Sequence, residues 1–266
     1  MFSNFKFENL QFEIFSLERM FFALTALVSA AAAAYAGYAT MAPRSQLYGR
    51  TLTHGPDSSQ LALTFDDGPN DPHTLRLLDV LARHEAKATF FLIGKYVRQR
   101  PEIARAIQAA GHEIGNHTYC HPNLIFVSAA RLRQELQDCN KALEDALGVT
   151  PSLFRPPFGG RRPSVLRTAR ALGLQTVMWS ASSDDWKAQS PEFILEKVTP
   201  KLESGRAEIV LLHDGSHLAF GADRAHTVEA TRRLLESLVG KRFISISGLN
   251  GQAEGKAGVT TPKGLR

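Results

Sequence analysis

Apolar and polar positions alternate along Leu61-Ala62-Leu63-Thr64-Phe65 and then give way to Asp66-Asp67-Gly68-Pro69. This pattern predicts a strand that ends abruptly in two adjacent carboxylates and a turn. Downstream, short apolar runs trade places with longer amphipathic ones. Strands are predicted at 61–65, 88–92, 113–115, 153–155, 175–179, 208–212 and 243–246. Helices are predicted between them at 72–84, 101–110, 128–147, 163–172, from Ser190-Pro191 onward, and at 227–239. Their ends carry suitable residues: Ser128 and Ser190 can cap helix starts, Pro191 suits a first turn, and Gly111, Gly148, Gly173 and Gly240 follow helix ends. Strands alternating with helices throughout require parallel pairing and a barrel-like closure, an α/β fold.

The N-terminal region breaks this rhythm. Residues 20–43, between Arg19 and Arg44, carry no charge and include an alanine run at 30–34. As a helix they would reach about 36 Å, more than the roughly 30 Å hydrocarbon core of a bilayer. The stretch is read as an uncleaved signal anchor. A cleaved secretory signal would have small residues at Ala34-Tyr35-Ala36 but lacks a basic leader, since Lys6 and Arg19 face Glu8, Glu13 and Glu18. Flanking charge does not set an orientation, because Arg44 and Arg50 outnumber Arg19. The chain therefore divides into a polar segment at 1–19, the anchor at 20–43, a linker at 44–60, the strand-and-helix domain at 61–247 and a tail at 248–266. The tail is rich in glycine, poor in apolar pattern, and read as disordered.

Composition narrows the picture further. Of 266 residues, 44% are hydrophobic, enough for one sizeable core. The formal charge is +5; residues 1–43 hold two basic and three acidic groups, so the remainder carries +6. A basic balance suits anionic wall polymers, and the lack of a basic and aromatic stripe discounts nucleic acid. Cys120 and Cys139 are the only cysteines and are read as two thiols. Nothing in the pattern specifies an oligomeric state.

Two adjacent carboxylates repel and desolvate badly unless a cation or an arginine compensates them. Candidate partners lie at other predicted strand ends. His117 and His121 are four positions apart, a spacing that in one helical turn or a tight loop lets both reach one ion. Arg155 is followed by Pro156-Pro157-Phe158, where the prolines fix the backbone. Residues 209–215 repeat the opening theme, an apolar strand leading to His213-Asp214-Gly215.

These stretches resemble, in content and order, the polysaccharide deacetylases of the NodB-homology type, carbohydrate esterase family 4. They are TFDDG at 64–68, GHEIGNHTYCHPNL at 111–124, RPPF at 155–158, Asp185-Trp186, and LLHD at 211–214, and the likeness spans about 61–246. The resemblance implies an irregular (β/α)7 barrel. It also implies metal-dependent hydrolysis of N-acetyl groups from N-acetylglucosamine units of a peptidoglycan- or chitin-like glycan, outside the cytoplasm. Asp67, His117 and His121 would hold one divalent ion, Zn2+ by donor chemistry, with Co2+, Ni2+ and Mn2+ also accepted by such donors. Asp66 would be the base, Arg155 the group that holds it, and His213 the acid. The Phe158 N–H would face the oxyanion, and Trp186 and Leu211 would enclose the acetyl methyl. His217 lies near enough in sequence to His213 to line the cleft.

One departure stands out. The family's fourth motif is read as Asp-x-x-Asp-Trp with the first Asp supporting the acid histidine, whereas 182–186 begins with Ser182. The expectation is a His213 with a lower pKa than in family members that have the Asp, with Ser182, Asp184 and Asp185 as the positions that bear on its tuning, unless Asp184 reaches it from an altered loop and supplies the charge. That loss keeps open a membrane-tethered glycan-binding protein without turnover; a metal amidohydrolase of small amides is the third class.

Overall fold

The computed structural model describes residues 2–249 except Gln189 and Ser204, so the tail from 250 onward lies outside the described residues. In chain order the elements are α1 (Phe2–Met41), β1 (His54–Gly55), β2 (Gln60–Gly68), α2 (His73–Arg83), β3 (Ala88–Leu92), α3 (Gly94–Gln99), α4 (Pro101–Ala109), β4 (Glu113–Asn116), α5 (Ala129–Leu147), β5 (Leu153–Phe154), α6 (Pro163–Ala171), β6 (Gln175–Thr176), β7 (Ala181–Ser182), α7 (Pro191–Val198), β8 (Ala207–His213), α8 (Ala225–Ser237), β9 (Arg242–Phe243) and α9 (Ile246–Leu249). Ser128 and Ser190 cap α5 and α7 as expected, accepting from Arg131 N and Phe193 N.

Parallel pairing runs β8–β2–β3–β4–β5–β6, and β7, just beyond β6, returns to pair with β8. The segment 175–182 thus touches β5 at one end and β8 at the other, which closes the sheet into an irregular (β/α)7 barrel. The expected strand at 175–179 is correspondingly broken, with Val177 bridging only to Leu52. β1 adds an antiparallel edge to β8, and β9 pairs with the first residues of β2.

Alternation in β2 sorts side chains between two cores. Leu61, Leu63 and Phe65 pack outward under the helices with Leu77, Leu81 and Leu234, whereas Ala62 packs inward with Phe91, Leu153, Val177 and Ile209. By the same period Thr64 and Asp66 face the interior, and the register sets Asp66 beside His213. The expected strand at 243–246 is instead β9 followed by α9. Ile246 and Leu249, three apart on α9, both reach the inner core, while Ile246 N donates to Thr89 Oγ1 (3.0 Å) and Ser247 N to Glu113 Oε2 (3.1 Å). α9 thus buries both side chains inside the barrel.

The apolar N-terminal stretch is one helix from Phe2 onward, and Leu17–Met41 within it spans 25 residues with mean hydropathy 1.7. Its large side chains, among them Phe22 and Leu27, are exposed.

At the C-terminal mouth the ends of β2 and β8 approach too closely for side chains. A Cβ on Gly215 would stand 2.2 Å from Asp67 O, and one on Gly68 2.3 Å from Asp214 Oδ2. Gly215→Ala is therefore expected to cost about 1–3 kcal/mol of stability, read as a lowered urea midpoint. An unchanged midpoint would show that the strand ends separate freely.

Candidate active site

Adjacent residues of a regular strand point to opposite faces, so Asp66 and Asp67 should not share a cavity. They do because the pairing of β2 with β3 slips between Asp66 and Gly68, and Asp67 takes a left-handed φ of 71°. Both carboxylates then line one cavity of about 460 Å3 at the C-terminal mouth, together with His117, His121, Phe158, Trp186, Leu211 and His213.

Asp66 Oδ1 accepts from Arg155 Nη1 at 2.7 Å. Arg155 has no exposed surface; it also donates to Thr64 Oγ1 (2.7 Å) and Met178 O (3.1 Å), and its guanidinium lies 4.2 Å from the Phe91 ring centroid. Burial lowers the Arg155 pKa, and Asp66 opposes that shift.

Asp67 Oδ1 is buried with no hydrogen-bond partner, although His121 Nε2 is 3.2 Å and His117 Nε2 3.5 Å away. His117 Nδ1 lies 2.8 Å from Arg155 O, an acceptor, so Nδ1 carries a proton and Nε2 is the nitrogen turned to Asp67. Burial, with His117 adding, drives the His121 pKa down to about 2, so that ring is neutral. Burial opposes ionisation of Asp67, but the surrounding imidazoles outweigh it and hold the carboxyl well below the usual carboxylate range. One carboxylate oxygen facing two imidazole nitrogens fits a divalent cation.

His217 is a further histidine in this cluster: donor atoms of Asp67, His121 and His217 lie within 4.8 Å of one another. Its ring stacks on His121 at 4.4 Å and 17°. Near-parallel stacked rings direct their in-plane lone pairs side by side, which favours His117 over His217 as the partner of His121. His217 forms a wall instead, edge-on to Phe158.

The departure at Ser182 has a different outcome from the one expected. Ser182 lies in β7 with its carbonyl accepting from Lys201 Nζ (2.6 Å), and Asp184 turns to Lys197 (2.8 Å). Asp185 is the partner of His213: Oδ1 is 2.7 Å from Nδ1, and Oδ2 accepts from His213 N (2.7 Å) and Thr227 Oγ1 (2.9 Å). Burial works to lower the His213 pKa, but Asp185, with Asp67 and Asp66 adding, lifts it to about 9. The expected lowering is therefore corrected, because the carboxylate beside Trp186 supplies the charge.

Phe158 has φ 58° and is half-exposed, Trp186 lies edge-on to His213, and Leu211 is buried in the wall beside them. Trp179, not singled out in the sequence, completes that wall. His54, His73, His84, His112 and His226 do not line the cavity, and both cysteines are free thiols.

The loop from His117 to His121 is a tight turn with left-handed φ at Thr118 and His121. Asn116 Oδ1 accepts from Thr118 N (2.7 Å), Thr118 Oγ1 from His121 N (3.0 Å), and Glu135 Oε2 from Tyr119 N (2.9 Å) and Cys120 N (2.8 Å). Glu135 sits on α5 and is buried. Its spacing from the loop gave no sign of this contact.

The family described as Polysaccharide deacetylase matches residues 54–177. A peptidoglycan-N-acetylglucosamine deacetylase of Bacillus cereus is 40% identical over 193 residues, covering 71% of this chain and 87% of that protein. A chitooligosaccharide deacetylase of Sinorhizobium fredii is 37% identical over 204 residues, covering 74% and 94%. Among solved structures, a carbohydrate esterase family 4 pseudoenzyme from Bacillus anthracis is 30% identical with a TM-score of 0.69, covering 76% of this chain and 69% of that one. A mutant of the same pseudoenzyme with restored enzymatic activity has the same TM-score of 0.69.

Because Glu135 holds the His121 loop through two backbone N–H groups, Glu135→Ala is expected to weaken Zn2+ binding about 10- to 100-fold, measured by competition with a chromophoric chelator. Wild-type affinity in a folded variant would show that the loop holds itself.

Proposed function

Since this chain belongs to the polysaccharide deacetylases of carbohydrate esterase family 4, we propose that it is a divalent-metal-dependent hydrolase removing N-acetyl groups from N-acetylglucosamine units of a peptidoglycan- or chitin-like glycan. The observation that carries this reading is one cavity that brings together the Asp66–Arg155 pair, the His213–Asp185 pair and the Asp67, His117 and His121 donors. Relatives named for deacetylation of peptidoglycan and of chitooligosaccharides support the substrate class.

An amide is a poor electrophile and an amine a poor leaving group, so hydrolysis needs an activated water and a proton for the nitrogen. Asp67, His117 and His121 would hold a divalent cation, which when bound would supply Lewis acidity for the amide oxygen and acidify water. Asp66 is the base, held at the cavity wall by its contact with Arg155. His213, with Nδ1 bonded to Asp185, presents Nε2 as the acid that protonates the departing amine. The Phe158 N–H would donate to the developing oxyanion, and Trp186 and Leu211, which line the same cavity, would enclose the methyl. Around the mouth, Phe158, Trp186 and Leu218 leave 48%, 44% and 83% of their surface exposed, apolar faces suited to sugar rings and more extensive than a small amide requires.

A glycan-binding protein without turnover was motivated by Ser182, and the Asp185 contact removes that motive. For location, the exposed apolar length of α1 suits a bilayer anchor, and relatives named for peptidoglycan deacetylation support a domain outside the cytoplasm.

The purified protein loaded with Zn2+ is expected to release acetate from short N-acetylglucosamine oligomers. His117→Ala or His121→Ala should abolish both metal binding and release. Full activity after exhaustive chelation would overturn the metal reading, and metal binding without acetate release would leave the glycan-binding alternative.

A second expectation concerns pH. A raised His213 pKa keeps the ring protonated to higher pH and is lost as pH rises through it, so it sets the alkaline limb of kcat/KM. Asp185→Asn removes the carboxylate and leaves burial to dominate. The alkaline limb should then move to lower pH and kcat should fall about 10²- to 10⁴-fold, while Ser182→Asp leaves the limb in place. The reverse pattern would reinstate Ser182 as the position that tunes the acid.

A further inference from the structure

The apolar helix does not end in a loose tether. Ala39 is fully buried, and Thr40 O accepts from Arg161 N (3.1 Å). The Arg161 side chain is 1% exposed. Its Nη2 donates to Ala42 O (2.5 Å) and Ser45 O (3.0 Å), and its Nη1 to Gly159 O (3.1 Å). A helix leaves its last four carbonyls without intrahelical partners. Here the main chain and guanidinium of one buried arginine meet the carbonyls at the end of α1 and just past it. On the other flank Arg44 Nη2 donates to Ser180 O (3.0 Å) and lies 3.7 Å from Glu208.

Both gripping segments belong to the wall of the catalytic cavity. Gly159 and Phe158 line it just before Arg161, and Trp179 lines it just before Ser180. At no more than about 3.6 Å per residue, Phe158 and Arg161 are separated by at most about 11 Å. The end of α1 therefore lies within about 15 Å of the cavity wall. The apolar span Leu17–Met41 ends at the joint itself, with no linker between. At about 1.5 Å per residue it measures about 38 Å, so a bilayer of roughly 30 Å leaves only a few residues of slack.

We propose that Arg161 makes a rigid joint between the membrane helix and the wall of the active site, which holds the cavity at the bilayer surface and selects N-acetylated glycans carried on lipid or lying against the membrane over polymer at a distance. The substrate half of this proposal rests on the deacetylase reading; the joint does not.

The test uses the full chain in nanodiscs, as wild type, as Arg161→Ala, and with ten Gly/Ser residues inserted after Gly37. The insertion leaves every Arg161 contact in place and keeps an apolar span at 17–37. Cys120 is exposed and Cys139 buried, so a fluorophore on Cys120 reports the distance from the cavity to acceptor lipids without any turnover. Wild type is expected to show efficient transfer, and both variants weaker transfer. In parallel, kcat/KM is compared for an N-acetylglucosamine oligomer anchored in the same bilayer by a lipid and for the soluble oligomer. The ratio should fall about ten-fold in the insertion variant, with turnover of the soluble oligomer unchanged.

Equal transfer in wild type and insertion variant would overturn the joint. So would recovery from membranes of only a soluble form beginning after Ala36. A ratio unaltered by the insertion would overturn the surface selection. Transfer as expected with no acetate from either substrate would overturn the deacetylase reading, and the substrate half with it, while the joint stands.

Discussion

A guanidinium with none of its surface in water must find both hydrogen-bond acceptors and a counter-charge inside the protein, and Arg155 finds them on separate elements of the barrel. Thr64 and Asp66 come from β2, and the Met178 carbonyl from the segment that closes the sheet. The Arg155 carbonyl in turn fixes the His117 ring. Removing one partner of such a buried pair costs about 3–5 kcal/mol, because the other charge is left uncompensated. The strand ends are therefore not free to choose their spacing. Where Arg155 is satisfied, Asp66 is at the cavity wall and His117 presents Nε2 to it.

The second constraint is local. A regular β2 would point Asp67 away from Asp66, and the irregular pairing with β3 undoes that alternation at a single residue. A non-glycine residue at φ 71° costs energy that only surrounding contacts offset. The contacts are visible: His217 N donates to Asp67 Oδ2 (3.3 Å), and Gly215 lets the β8 end come against Asp67 O. Sequence chemistry thus supplies two carboxylates, and strained geometry makes them neighbours in function.

What was legible in the sequence follows the range of the interactions. The strand at 61–65, the caps Ser128 and Ser190, and the glycine after α5 are local statements, and the structure bears them out. The residues brought to the cavity could be read because each sits at a strand end, and parallel barrel strands deliver their C-terminal ends to one mouth. What could not be read depends on distant partners. Asp185 reaches His213 across 28 positions, and Glu135 on α5 reaches Tyr119 N and Cys120 N across 16 and 15. α9 looks like a strand by composition, and only the open end of the barrel decides otherwise. Ser182 misled for the same reason: the motif placed a supporting charge by spacing, while the fold places it by reach.

The two buried pairs at the cavity are electrostatic mirror images, and this division gives the site its direction. In one a carboxylate meets a fixed cation, which holds Asp66 in place as the base. In the other an imidazole meets a fixed anion, so His213 is held as a donor. Neither group could take the opposite role without breaking a buried pair. The imidazole of His121 is neutral because burial outweighs the nearby Asp67 charge, so one of its two nitrogens has a lone pair to offer. Environments that push a base and an acid apart in proton affinity are what a hydrolytic site requires. Here they arise from which strand each side chain ends and which partner the barrel brings against it.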